Sequence, residues 1–210
     1  MNLCEQLHRL VNKGLTFSFP FNEDDIPRNG IYVLFEKGEL SHRGDRIVRV
    51  GTHTGDNQLR SRLTQHFIKE NKDRSIFRKN IGRALLRRDD NPFLEQWEYD
   101  LTSRKGREKY GALVDRSKLQ EIENAVTKYI QQSFSFVTLE VRSKTDRVKL
   151  ESRLASTVSL CLACQPSTAW LGKHSPKLKI RKSGLWQVNE LYKKPITGSD
   201  LDLIAGTLLT

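Results

Sequence analysis

Residues 30–35 read GIYVLF, and residues 46–51 read RIVRVG. In the first stretch Ile31, Val33 and Phe35 fall on one side of an extended chain, and Tyr32 and Leu34 fall on the other. The intervening stretch, EKGELSHRGD, is rich in residues that favour chain reversal, so the two stretches predict an antiparallel hairpin. One strand of this hairpin carries a tyrosine and the other ends in glycine, and the role of these two residues has to be inferred from the rest of the chain.

The composition of the chain points to a polyanionic partner. Among 210 residues there are 36 Lys and Arg against 25 Asp and Glu, a formal net charge of +11, which favours binding to nucleic acid. No apolar run approaches the ~20 residues of a membrane span, and the charged, amphipathic N-terminus MNLCEQLHRLVNKG is not typical of a signal peptide. An odd number of cysteines, three, predicts a reducing compartment, which we take to be the cytoplasm.

The segment after the hairpin predicts a helix with two distinct sides. Leu59, Leu63 and Phe67 recur every four residues and form an apolar stripe. Arg62 and His66 are also four residues apart, so both project from one side of the helix, next to that stripe. This position favours a functional pair over a solvated helix face.

The remaining elements are a basic helix, an irregular stretch, a further helix, a strand and a late helix. Residues 76–86 predict the basic helix, and residues 89–116 have no regular pattern. Ser117 followed by Gln120 is a capping-box pattern for a helix carrying Leu119, Ile122, Val126 and Tyr129. Residues 134–141 predict the third strand, and residues 147–162 predict the late helix, with Val148, Leu154 and Val158 facing inward and Glu151 near its start.

Taken together, these features resemble the GIY-YIG nuclease superfamily. Gly30-Ile31-Tyr32 is similar to the first motif, and Arg49-Val50-Gly51 stands where the second motif, Tyr-Ile-Gly or Tyr-Val-Gly, is expected. LRSRLTQHF resembles the family's helix with the catalytic arginine, and KLESRLAS resembles the helix that opens with a metal-binding glutamate. The resemblance covers residues 26–86 and 134–165. It implies one domain over residues 1–210 with a mixed α/β (α+β) fold, a small three-stranded antiparallel sheet flanked by helices, an insertion at 87–133 and a C-terminal extension at 166–210.

The resemblance also implies how the site would hydrolyse a DNA phosphodiester bond. Tyr32 would orient or deprotonate the attacking water, Arg62 would grip the scissile phosphate, and Glu151 would bind one Mg²⁺ or Mn²⁺. His66 would hydrogen-bond Tyr32 or the phosphate and could carry a proton. Each residue also has a structural alternative: a strand aromatic, a solvated arginine, a helix-surface glutamate and a hydrogen-bonding histidine.

The sequence departs from the family's pattern in two places. Arg49 replaces the tyrosine of the second motif, so the role of that tyrosine would pass either to His53, as a proton acceptor, or to the positive charge of Arg49 beside Tyr32. The family usually has an asparagine about a dozen residues after its glutamate. Residues 161–167 contain none, and Asn189 is too distant in the chain to assign.

Two basic segments are predicted to bind the phosphates of DNA, which we expect to be double-stranded. Residues 68–88 carry eight Lys or Arg and two acids, and residues 173–182 carry five Lys or Arg and no acid. The candidate phosphate-binding residues are Arg78, Lys79, Arg83, Lys177, Lys179, Arg181 and Lys182.

Three further residue types in the C-terminal half could belong to a site or to the core. Cys161 and Cys164 form a C-x₂-C pair, but no second pair follows and His174 alone would leave a zinc site incomplete. We therefore interpret both as buried helical thiols. Trp170 and Trp186 are predicted to cover the edge of the core, and stacking on a flipped base is the alternative.

The sequence therefore predicts a metal-dependent DNA endonuclease. The alternative is a catalytically inactive nucleic-acid-binding protein on the same scaffold, which the missing tyrosine and asparagine favour. Binding of structured RNA is a third interpretation. A homodimer that cuts both strands and a monomer that nicks one fit the sequence equally well.

Overall fold

The predicted hairpin forms one half of a four-stranded antiparallel sheet. In the computed structural model, which describes residues 2–208, the spatial order of the strands is β1-β4-β2-β3. The fourth strand was not predicted, because a three-residue strand in a turn-rich segment is too short to show alternation. The strands are β1 (Thr16–Ser18), β2 (Gly30–Ser41), β3 (Gly44–Thr52) and β4 (Phe134–Glu140).

Helices cover both faces of this sheet, so the predicted mixed fold class is confirmed. None of the helices within residues 2–208 combines the length and apolar character needed to cross a bilayer. The helices are α1 (Leu3–Val11), α2 (Leu59–Phe67), α3 (Ile76–Arg88), α4 (Leu94–Glu98), α5 (Arg104–Tyr110), α6 (Arg116–Ser133), α7 (Lys144–Leu160), α8 (Leu178–Ser183) and α9 (Gly198–Leu208).

The alternation in β2 divides the interior into two apolar clusters. Tyr32 and Leu34 face a cluster that includes side chains of α2, α3 and α6. Ile31, Val33 and Phe35 face a second cluster, built with α1, α7 and α9. Because both faces are covered, β2 is buried along residues 30–36, and the predicted assignment of its residues to two faces is confirmed.

Three local predictions about the helices were wrong. The segment 89–116 was predicted to be irregular but contains α4 and α5. Helix α6 is capped by Asp115, whose side chain accepts from the backbone N–H of Lys118, and not by Ser117. In α7, Val148 is 43% exposed, because the buried face of that helix runs through Leu150 and Leu154 instead.

The C-terminal segment returns to the outer edge of β3. The backbone N–H of Trp186 donates to the carbonyl of Val48 at 2.7 Å. The backbone N–H of Val50 donates to the side-chain oxygen of Gln187 at 2.9 Å. This edge is therefore partly paired rather than left open, and residues of the C-terminal segment are brought next to the end of the hairpin.

Candidate active site

Gly51 leaves room for the ring of Tyr32. The two residues are directly opposite each other in the β2–β3 ladder. A Cβ atom at position 51 would lie 2.2 Å from the Tyr32 hydroxyl oxygen and 2.3 Å from its Cζ, closer than any real contact. The tyrosine of the first motif therefore requires the glycine of the second, which answers the question posed by the sequence.

The Tyr32 hydroxyl belongs to a buried hydrogen-bonded chain. It lies 2.7 Å from Nε2 of His66, and Nδ1 of His66 lies 2.7 Å from the hydroxyl of Ser75. Nε of Arg49 donates to the same Tyr32 oxygen at 3.3 Å. Tyr32, His66 and Ser75 have no exposed surface, and Arg49 is 6% exposed. The hydrogen bond between His66 and Tyr32 that the sequence suggested is thus present.

The neutral ring of His66 has two tautomers, and each gives the hydrogen bonds of this chain a different direction. Burial, followed by the positive charges of Arg62, Arg49 and Arg78, holds the pKa of His66 well below its usual value, so the ring is neutral at pH 7. A neutral imidazole has one donor and one acceptor. If Nδ1 carries the proton, the hydroxyl of Tyr32 donates to Nε2. If Nε2 carries it, Tyr32 receives hydrogen bonds from both His66 and Arg49.

Arg49 interacts both with Tyr32 and with Glu151, the candidate metal ligand. It approaches Tyr32 as described, donates to the carbonyl of Trp186, and lies with its guanidinium carbon 5.4 Å from the centre of the Phe77 ring. Its charge also acts on the carboxyl group of Glu151. The residue that replaces the second-motif tyrosine therefore lies between the two halves of the site.

Glu151 approaches from the opposite face of the sheet. It lies in the second turn of α7, is half-buried, and accepts a hydrogen bond from the backbone of Thr52 at the end of β3. Burial raises the pKa of this carboxyl group, and the charges of Arg49 and Arg62 oppose the rise. The carboxylate predicted to bind metal is therefore near the two arginines predicted from sequence.

Arg62 lies on the wall of an open cleft beside these residues. Its guanidinium donates to the side chain of Gln65 at 3.3 Å and to the carbonyl of Arg74 at 3.2 Å, and it stays partly exposed. The cleft has a volume of about 350 Å³. Its lining is polar and comes from the end of β3 and from α2: Thr52, His53, Thr54, Gln58, Ser61, Arg62 and Gln65.

His53 has a structural role, because both of its ring nitrogens are hydrogen-bonded to the backbone. Its Nε2 accepts from the backbone N–H of Gly30 at 3.2 Å, so its Nδ1–H donates to the carbonyl of Gly55 at 2.6 Å. Burial lowers the pKa of His53, which favours the neutral ring that both bonds require. Both nitrogens are thus used to hold the start of β2 and the following loop, so we leave His53 out of the proposed catalytic group.

The three candidate phosphate-binding residues of segment 68–88 are used in ion pairs within the protein. Arg78 has no exposed surface and pairs with Glu123 at 2.8 Å. Arg83 pairs with Glu98 at 2.5 Å, and Lys79 pairs with Asp73 at 3.0 Å. These three residues are therefore not free to contact phosphate in this structure. Among the candidates of the second segment, Arg181 is half-buried and donates to the carbonyl of Ser175, while the exposed ones are Lys177, Lys179 and Lys182.

Three features of the site were missed by the sequence analysis. Ser75, which caps α3, has no pattern that links it to His66. Glu190 lies near enough for its charge to raise the pKa of Glu151, although 39 positions separate them in the chain. Trp186, through its backbone N–H, and Gln187, through its side-chain oxygen, are held along β3 next to the site, which no local pattern indicates. Asn189, which the sequence could not place, lies in the same segment and is exposed.

The tryptophans are core residues, and the cysteines are not helical. Trp170 and Trp186 are buried, and their indole N–H groups donate to the Glu36 carboxylate at 2.8 and 2.7 Å, as the packing interpretation predicted. Helix α7 ends at Leu160, so Cys161 and Cys164 lie in the turn beyond it, and only Cys164 is buried. The prediction of two buried helical thiols was wrong for this reason.

The carboxylates at the site fit a hard divalent cation. Glu151 and Glu190 offer only oxygen ligands, and the charge of Glu190 raises the pKa of Glu151. Mg²⁺ typically binds one or two carboxylates and completes its shell with water and phosphate oxygens. The open, polar cleft lined by Arg62 and by Thr52, whose backbone bonds Glu151, leaves space for such ligands.

Comparison with known protein families gives the class of protein. The chain matches the family model described as the GIY-YIG domain over residues 1–208. It therefore belongs to the GIY-YIG family, which is a family of nucleases, and nucleic acid is the substrate class of that family. The match also runs through residues 87–133 and 166–208. No match was found among curated proteins or among solved structures.

Proposed function

We propose that this protein is a metal-dependent endonuclease that hydrolyses phosphodiester bonds of double-stranded DNA. One observation carries the proposal: Tyr32, His66 and Arg49 are hydrogen-bonded together, and Arg49 is also electrostatically coupled to Glu151. These residues come from four different elements: β2, β3, α2 and, on the other face of the sheet, α7. A fold has no structural need to bring a phenol, an imidazole, guanidinium groups and a carboxylate to one place.

In this proposal Arg62 binds the scissile phosphate, because it is the arginine that lines the cleft and its planar guanidinium matches two phosphate oxygens. Nε2 of His66 and Nε of Arg49 fix the position of the Tyr32 hydroxyl, which would orient the attacking water. Glu151, together with Glu190, would hold Mg²⁺ or Mn²⁺. The bound ion would polarise the phosphate and its attacking water.

Cleavage of supercoiled plasmid in Mg²⁺ or Mn²⁺ tests the proposal. We expect the unaltered protein to nick or linearise the plasmid. Glu151→Gln, which keeps the size of the side chain but removes its charge, should reduce the rate by about 10²-fold or more. Glu121→Gln is the matched control, since Glu121 is exposed on α6 and pairs only with Lys118. Equal cleavage by the protein and its Glu151→Gln form would contradict the assignment.

Burial of the Tyr32 hydroxyl favours a second function, a catalytically inactive nucleic-acid-binding protein. With 0% exposure and both partners in place, the hydroxyl does not face the cleft solvent. This function predicts salt-dependent binding of duplex DNA without cleavage in any metal. It also predicts the same calorimetric response to Mn²⁺ for the protein and for Glu151→Gln. Loss of the Mn²⁺ signal in Glu151→Gln would favour the endonuclease.

The exposed lysines of the C-terminal segment are proposed to supply phosphate contacts. Lys177, Lys179 and Lys182 are on or next to the short helix α8. Such contacts add affinity without sequence preference and make binding weaker as salt rises.

A further inference from the structure

A second cluster of reactive side chains lies outside the candidate active site. It contains two cysteines and two histidines: Cys4 and His8 from α1, His42 from the β2–β3 turn, and Cys164 from the segment after α7. One ligand atom of each residue lies within 4.8 Å of the corresponding atoms of the other three. Cys4, His8 and Cys164 are buried, and His42 is half-buried.

The separations within this cluster are close to those of a tetrahedral zinc site. With Zn–S of about 2.3 Å and Zn–N of about 2.0 Å, the ligand atoms of such a site are roughly 3.3–3.8 Å apart. The Sγ atoms of Cys4 and Cys164 are 3.5 Å apart. Nε2 of His8 lies 3.8 Å from the Cys164 sulfur.

We propose that Cys4, His8, His42 and Cys164 bind one Zn²⁺ ion that fastens α1 and the β2–β3 turn to the end of α7. Two thiolates and two imidazoles form a typical structural zinc set, and their softness favours zinc over Mg²⁺. On binding, the thiol protons are released to solvent and each sulfur donates a lone pair to the ion. The proposal does not depend on nuclease activity.

His8 is oriented to present Nε2. Its Nδ1 lies 2.9 Å from the carbonyl of Cys4, a bond that fixes the Nδ1–H tautomer in the way that ligand histidines are commonly held. Nε2 now accepts from the backbone N–H of Ile47 at 3.2 Å. The single lone pair on Nε2 cannot accept this hydrogen bond and bind zinc at the same time. Zinc binding therefore has to break the bond from Ile47. Cys161, whose sulfur is 3.4 Å from Nε2 of His42, is the competing fourth ligand.

The ion could reach the cluster from the surface. A cleft of about 430 Å³ is lined by His8 and His42, and a second of about 460 Å³ is lined by Cys4 and Cys161. The three connected segments are far apart in the chain, so a metal link between them would restrict the unfolded chain strongly. The sequence analysis set aside a zinc site at Cys161 and Cys164 for lack of further ligands, and it is the fold that brings Cys4, His8 and His42 to Cys164.

Metal analysis of the full chain, purified from zinc-supplemented cells without chelator, tests the site. We expect about one zinc per chain. Cys4→Ser and Cys164→Ser should lower the zinc content by at least roughly tenfold, whereas His174→Ala, a change at an exposed histidine outside the cluster, should not alter it. Zinc content below about a tenth of an equivalent in the unaltered protein after incubation with excess zinc and dialysis would overturn the proposal.

Two further measurements keep the test independent of folding defects. Replacing zinc by Co²⁺ should give the visible bands of a tetrahedral site and a thiolate-to-cobalt band, and chelation should lower the melting temperature. Cys161→Ser should retain the metal. If Cys161→Ser loses it and His8→Gln keeps it, the assigned ligand set is wrong. A Cys4–Cys164 disulfide in freshly purified, zinc-free protein would replace the metal site with a redox pair.

Discussion

Gly51→Ala is the substitution whose effect the structure predicts most directly. The new methyl group would lie 2.2 Å from the hydroxyl oxygen of Tyr32, and the tyrosine has no exposed surface into which it could move. The ring must therefore shift away from His66 and Arg49, to which it is bonded at 2.7 and 3.3 Å. Overpacking of a core typically costs about 1–3 kcal/mol, and each lost hydrogen bond adds about 0.5–1.5 kcal/mol.

The expected loss in the free energy of unfolding is therefore about 2–6 kcal/mol, or a fall of roughly 4–24 °C in melting temperature. Urea and thermal denaturation followed by circular dichroism measure it. The control is Gly206→Ala in α9, where a Cβ meets nothing within 4 Å and where alanine should raise stability by up to about 1 kcal/mol.

A double-mutant cycle isolates the contact. In a Tyr32→Ala background the ring is absent, so adding Gly51→Ala should cost little, and the two changes should be non-additive by about 2 kcal/mol. An unchanged melting temperature for Gly51→Ala, or strict additivity in the cycle, would refute the reasoning that the glycine exists to accommodate the tyrosine.

Further predictions concern charge in the interior and on the surface. The pKa of His66 lies below its ordinary value of 6.5, so the unfolded chain binds a proton that the folded chain does not. Stability should thus be full above about pH 6.5 and fall as the pH drops, by up to about 1.4 kcal/mol per unit; urea titrations should show a smaller fall for His66→Gln than for the control His174→Gln. Arg78→Ala should cost about 3–5 kcal/mol, since it leaves the buried carboxylate of Glu123 unpaired, and a loss below about 1 kcal/mol in chemical denaturation would contradict this. Lys179→Ala should leave stability unchanged but reduce the salt slope of DNA binding by about 1, and an unchanged slope would remove Lys179 from the proposed interface.

The local elements of this protein could be predicted because they depend on short-range patterns. Alternation in residues 31–35 predicted the two faces of β2, and the spacing of Leu59, Leu63 and Phe67 predicted the buried stripe of α2. The ordered set of motifs predicted the family, which the match over residues 1–208 confirmed. Errors occurred where the pattern was short or ambiguous, as in the three-residue β1 and the caps of α6.

What the tertiary structure alone decided is which charged and nucleophilic groups are used inside and which remain outside. Arg78, Arg83 and Lys177 are all basic residues of the two basic segments, yet Arg78 and Arg83 are buried and held in ion pairs, whereas Lys177 is exposed. Similarly, Cys4, His42 and Cys164 are separated by long stretches of chain, and only the packing of α1 against the hairpin and α7 brings their ligand atoms together. Periodicity reports the face on which a residue lies. The partner that it meets across that face depends on long-range contacts, which no local pattern contains.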